Sequence, residues 1–153
     1  MNIRQLQAGD LLDEAARLFD AYRQFYRQPS NLTACRTWLA MRLQMGQSTV
    51  FVAEEGGRAV GFMQLYPGFC SVALAPVWTL YDLYVSPEAR GRGVAGALLE
   101  TARHFGLAQG AAYLQLSTAH DNHSAQRQYE RHGWQYDTVF RTYTLPLESS
   151  GTV

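Results

Sequence analysis

Apolar residues recur at intervals of three and four through Leu11, Leu12, Ala15, Leu18, Phe19, Tyr22, Phe25 and Tyr26, the spacing of one helix face. Asp10 stands where an N-cap is expected, and Pro29-Ser30-Asn31 breaks the run. Residues 32–45 predict a second helix stopped at Gly46. The pattern then shifts to short apolar runs. Residues 49–53 and 59–66 predict strands joined across Glu55-Gly56-Gly57-Arg58 as a hairpin. Residues 2–7 alternate weakly and predict a first strand, and residues 67–76 a loop or irregular edge before a strand at 78–85. Val94, Ala97, Leu98, Ala102 and Phe105 mark the buried face of a helix over 93–109, with Gly110 as its stop. A strand at 113–118, a short helix at 124–132 and a final hairpin of strands at 134–137 and 140–145 complete the reading. The fold class is therefore α/β, a mixed sheet with helices on its faces. A single domain is expected over residues 1–147, and residues 148–153 read as a polar, disordered tail.

Composition narrows the classes. A chain of 153 residues suits one domain with a sizeable core, and an apolar share of 47% excludes intrinsic disorder. Thirteen basic residues balance thirteen acidic ones, which argues against a nucleic-acid partner held by charge. Cys35 and Cys70 are too few for a disulfide framework and lack metal-ligand spacing, so no metal is expected. No apolar signal region opens the chain and no stretch approaches membrane-spanning length. The expected compartment is the cytoplasm, with no membrane partner.

The strand ending at Val85 runs through Ser86-Pro87 into Arg90-Gly91-Arg92-Gly93-Val94-Ala95 and then a helix. Such a turn leaves free amides at a helix start, where an anion is favoured. The flanking arginines point to phosphate. Gly91, Gly93 and Gly96 form a literal G-x-G-x-x-G, but a dinucleotide site needs the first glycine at the strand end and an acidic residue closing the next strand. Here residues 86–90 intervene, and residues 113–118 contain no Asp or Glu. No Gly-Lys-Ser/Thr follows either, so a Walker loop is excluded.

The segment resembles the acetyl-CoA signature of the GNAT superfamily of N-acetyltransferases. Arg90, Gly93 and Ala95 fill its Gln/Arg-x-x-Gly-x-Gly/Ala positions, and Leu83-Tyr84-Val85 fills the preceding strand. A second block, Asn122, Ala125, Tyr129-Glu130 and Gly133-Trp134, is similar to the family's Asn…Ala…Tyr-Glu-x-x-Gly-Phe element, with Trp in place of Phe. The resemblance implies a mixed, mostly antiparallel sheet flanked by helices, in the order β-α-α-β-β-β-α-β-α-β-β. It implies acetyl-CoA as co-substrate. The amides of Gly91, Arg92, Gly93, Val94 and Ala95 would cradle its pyrophosphate beside Arg90, and the backbone of Leu83, Tyr84 and Val85 would bind the pantetheine arm as an added strand. Asn122 would contact the same molecule. Tyr129 would protonate the leaving thiolate, as a phenol with pKa near 10 can do for a thiol near 8.5. From the residues alone, the glycines also fit a tight packing turn, Tyr129 a core aromatic, and Asn122 a turn residue before an N-cap at Ser124.

Asp82 lies inside an otherwise apolar strand, where a carboxylate must be paired or face a cavity. Residues 80–85 are similar to the diamine acetyltransferase branch, in which a Glu-Asp pair occupies the places of Tyr81 and Asp82. Two readings stand together for Asp82: attraction and deprotonation of a cationic amine, or a salt bridge to an arginine such as Arg141 or Arg42. Tyr22, Phe25, Tyr26 and Tyr66 line either an acceptor pocket or the core. His120, His123 and Cys70 read as loop residues without a catalytic partner. The activity expected is transfer of acetyl to a primary amine of a small molecule by direct attack. A protein lysine or N-terminus as acceptor, and a weakly catalytic acyl-CoA-binding module, are the alternatives. A homodimer is a further expectation of the resemblance.

Overall fold

The computed structural model describes residues 1–10 and 12–148. Leu11, and all of the expected tail except Glu148, lie outside the described residues. In chain order the elements are β1 (Asn2–Gln5), α1 (Asp13–Phe25), α2 (Leu32–Gln44), β2 (Thr49–Glu55), β3 (Arg58–Cys70), β4 (Ala75–Val85), a 3-10 turn (Pro87–Ala89), α3 (Val94–Ala108), β5 (Leu114–Gln115) and α4 (His123–Arg131). The five strands form one sheet in the order of the chain. β1 through β4 pair antiparallel, and β5 pairs parallel to β4 after the α3 crossover. The expected mixed, mostly antiparallel sheet is thus observed.

Each face of the sheet carries its own core. Leu18, Leu39, Val50, Val52 and Phe62 pack on the α1–α2 side. Phe51, Met63, Leu65, Leu80, Leu98 and Leu99 pack on the α3 side. The corner between α1 and α2 is tied by buried Asp20, which accepts hydrogen bonds from Ser30 Oγ and the Asn31 N–H, each at 2.7 Å. That corner fixes how the aromatic end of α1 meets the sheet.

Four local expectations are corrected. Asp10 does not cap α1; its carboxylate accepts the Gln7 N–H at 2.6 Å, closing a turn one step earlier. Within residues 67–76 only 71–74 form a turn, because β3 and β4 continue as a two-stranded ribbon to Cys70↔Ala75. Pro67 is tolerated there since β2 pairs only as far as Leu65, so β3 has a free side on which a missing donor costs little. The strand expected at 113–118 is reduced to Leu114–Gln115. The hairpin expected at 134–137 and 140–145 is absent among the described residues. No edge pairs with that segment, and Phe140, Tyr143 and Leu145 are each at least 80% exposed.

Candidate active site

β4 and β5 touch at only two register positions, Trp78↔Leu114 and Thr79↔Gln115. Beyond Thr79 the strands part, leaving one edge of β4 without a neighbour strand among the described residues. The Ser86 N–H donates to the Val60 carbonyl of the β3 side at 2.9 Å. Alternation along an antiparallel strand therefore turns the backbone groups of Leu83 and Val85 to the open edge. The Val85 carbonyl confirms this direction by accepting Arg90 Nε at 2.9 Å. Register also slips within β4, where Gln64 faces Asp82 but Leu65 faces Leu80. Tyr81 is thus the extra residue of a β-bulge, a device that bends a strand and re-aims its side chains.

The open edge leads into the start of α3. Gly91 and Gly93 hold φ of +76° and +81°, values that side chains other than glycine rarely take. Gly93 is the N-cap and supplies no side chain, so the first-turn amides of α3 have no capping partner. Arg90 lies over the Tyr84 ring at 5.4 Å. Arg92 instead reaches Glu55 at 3.0 Å, an exposed pair pointing toward the β2 end. Gly96, third in the literal dinucleotide pattern, serves packing: a Cβ there would come within 2.9 Å of His132 Nε2 on the α4 side.

Asp82 is buried, with 4% of its surface exposed, and its Oδ2 accepts Gln64 Nε2 at 2.8 Å. Burial pushes its carboxyl up to about 6, against the hydrogen bond from Gln64 that draws it down. The salt-bridge reading is corrected, because among the described residues no arginine pairs with Asp82. Arg42 stacks on Trp38 instead, 4.3 Å from the ring centroid. Gln64 was not anticipated from sequence. It is completely buried, and its Oε1 has no hydrogen-bond partner.

Aromatic rings gather around this carboxylate. The Tyr22 hydroxyl donates to the Tyr81 carbonyl at 3.1 Å, and its ring meets those of Tyr26 and Tyr84 edge-on at 5.0 and 6.5 Å. Tyr66 meets Tyr81 at 5.5 Å. Phe25, Tyr26 and Tyr81 are exposed, so these rings line a surface rather than fill the core. The other candidates lie nearby or apart. Tyr129 is half-buried on α4 against Trp134, ring centroids 6.2 Å apart. Burial, with Tyr26 nearby, raises its phenol pKa, so it carries its proton at neutral pH. Asn122 is itself the N-cap of α4, accepting the Ala125 N–H at 3.2 Å, which displaces the expected Ser124 cap. It also lines a cavity of about 280 Å³ with Phe25, Tyr26, Ala119 and Asp121, set between the ends of α1 and α4. His120 and His123 are exposed, and the described residues hold no cluster of metal-ligating side chains.

An open strand edge thus runs into an uncapped helix start, with a buried carboxylate on the same strand and a half-buried tyrosine on α4. The sequence profile of the acetyltransferase (GNAT) family matches residues 12–134. The chain belongs to this family and is an N-acetyltransferase. It is 43% identical over 145 residues to the uncharacterized N-acetyltransferase YhfO of Bacillus subtilis, covering 95% of this chain and 97% of that one. A crystal structure of a probable acetyltransferase superposes with a TM-score of 0.90 at 40% identity, covering 96% and 98% of the two chains. An aminoglycoside acetyltransferase from an uncultured soil metagenomic sample shares the fold, with a TM-score of 0.77 at 21% identity over 95% and 96% of the chains. Among the described residues no helix is long and apolar enough to cross a membrane.

Proposed function

We propose that this N-acetyltransferase moves the acetyl group of acetyl-CoA to a primary amine of a small molecule by direct attack. The observation that carries the reading is the parting of β4 from β5, which opens the Leu83–Val85 backbone in line with the bare amides of α3. In this reading the donor molecule lies along this surface. Leu83 and Val85 offer strand-edge hydrogen bonds to a pantetheine arm, and the amides of Gly91 through Ala95 meet a pyrophosphate at the positive end of the helix. Arg90 is fixed on Tyr84 and Val85, where it shapes the turn. Asn122, its side-chain oxygen engaged in capping α4, borders the cavity.

The residues then have separable tasks. The amine nitrogen forms the new C–N bond at the thioester carbon while the C–S bond breaks. Tyr129, protonated at neutral pH, gives its proton to the departing sulfur. Asp82, ionising near 6, takes the proton lost by the amine. Its burial requires a water as relay, since the Tyr22 hydroxyl is engaged by the Tyr81 carbonyl. Exposed Phe140, Tyr143 and Leu145 in a segment without a strand partner support a homodimer as part of this reading. The test follows free thiol release from acetyl-CoA across primary amines, amino acids and short peptides. Release that depends on a small amine supports the proposal. Release only with peptides assigns a protein acceptor, and tight acetyl-CoA binding without any release makes the chain a binding module.

A further inference from the structure

The aromatic wall beside Asp82 does not end there. Tyr81 meets Tyr66 at 5.5 Å, and the Tyr66 hydroxyl accepts Trp38 Nε1 at 3.1 Å. Arg42, one turn along α2 from Trp38, lies over that indole at 4.3 Å. Its Nε is buried without a hydrogen-bond partner, and among the described residues Arg42 makes no ion pair. On the same two helices Arg17 pairs with Glu14 and Arg36 with Asp13, while Arg23 donates to the Pro29 carbonyl. A guanidinium cannot shed its charge, so Arg42 holds an unanswered cation at one end of the wall. Asp82, hydrogen-bonded to Gln64 but without an ion pair among the described residues, holds a carboxylate at the other. Burial pushes the Tyr66 hydroxyl up to about 12, with the Trp38 hydrogen bond and Arg42 acting against it and Asp82 in the same direction.

Opposite charges separated by rings, and not paired with each other, complement a molecule carrying both signs. We propose that the acceptor is a primary amine bearing a carboxylate on the same molecule, its amine directed to the Asp82 end and its carboxylate held by Arg42. The inference rests on the reading of the Asp82 side as the acceptor side. A carboxylate matches the guanidinium fork, and a single arginine balances its single charge. A diamine would set its second ammonium against Arg42, a like-charge contact that selects against it. This agrees with the absence of a glutamate beside Asp82, where Tyr81 stands.

The experiment measures kcat/KM with acetyl-CoA for ω-amino carboxylic acids of increasing chain length, the corresponding primary amides and the corresponding diamines. The best amino acid is expected to exceed its amide by about 10- to 100-fold, the range of a charge-assisted hydrogen bond, with diamines lowest. Arg42→Met should remove that preference and Arg42→Lys restore part of it. Equal use of amino acids and amides, preference for diamines, or a preference unchanged in Arg42→Met overturns the proposal and leaves amine acetylation standing. Thiol release with none of the three acceptor classes overturns both. If Arg42→Met does not fold, the wild-type panel decides alone.

Discussion

The two halves of β4 are built from different materials. From Leu83 onward the strand offers backbone: an open edge, then Gly91 and Gly93 at positive φ, then helix amides without a cap. Before Leu83 it offers side chains: Asp82 under the rings of Tyr22, Tyr66 and Tyr81, held by Gln64 from the next strand. A backbone site suits a ligand that never changes. A side-chain site is free to vary with the acceptor while the sheet stays the same. On this argument the first half should respond to conformational substitutions and the second to changes of charge and hydrogen bonding.

The sharpest break in the backbone half is Gly93→Val. A β-branched residue at φ +81° cannot hold the turn that presents the α3 amides. Loss of two charge-assisted bonds, each about 1.5–3 kcal/mol, weakens acetyl-CoA binding by on the order of 100- to 10,000-fold. Titration calorimetry checks the affinity, and a thermal melt separates lost binding from lost folding. A well-folded variant that still binds tightly would place the pyrophosphate elsewhere.

Tyr129→Phe tests chemistry rather than shape. The ring keeps its place against Trp134 while the proton donor disappears. The turnover rate should fall by roughly 10- to 1,000-fold, with acetyl-CoA affinity nearly constant. Full activity would leave Tyr129 a packing residue, and a parallel drop in affinity would make it a binding one.

The same contrast explains what could be read from the chain. The backbone half depends on contiguous residues, so Leu83 to Ala95 carry their meaning in order and spacing. The literal glycine pattern misleads only at Gly96, whose demand for a small residue comes from His132, distant in sequence. The side-chain half is assembled from α1, α2, β3 and β4, and no local spacing announces it. One signal was present: Gln64 interrupts the apolar run Val60-Gly-Phe-Met just as Asp82 interrupts its own strand. Two isolated polar residues in neighbouring strands are expected to meet, since each must be satisfied in the core. Residues 140–145, rich in aromatic and β-branched side chains, show the opposite case. Their pattern suits a strand, but a strand forms only where an edge is offered, and β5 pairs over two residues only.

The smallest expected effect probes the Asp82–Gln64 contact by pH. As the proton acceptor, Asp82 must be ionised, so kcat/KM should rise with pH through about 6, apart from the limb set by the amine itself. Asp82→Asn should remove this limb. Gln64 donates to the charged carboxylate and so draws its pKa down. Gln64→Leu, similar in volume, should move the limb upward by about one pH unit. Stability gives an independent readout with the opposite sense. The folded value of about 6 lies above the ordinary 3.8, so the folded chain binds the proton more tightly between them. Stability therefore falls as pH rises through that window. Asp82→Asn should flatten the fall, whereas Gln64→Leu should extend it to higher pH. A rate limb that ignores both substitutions would remove Asp82 from proton transfer. A stability window that still followed them would keep the buried pair as a structural feature of the strand.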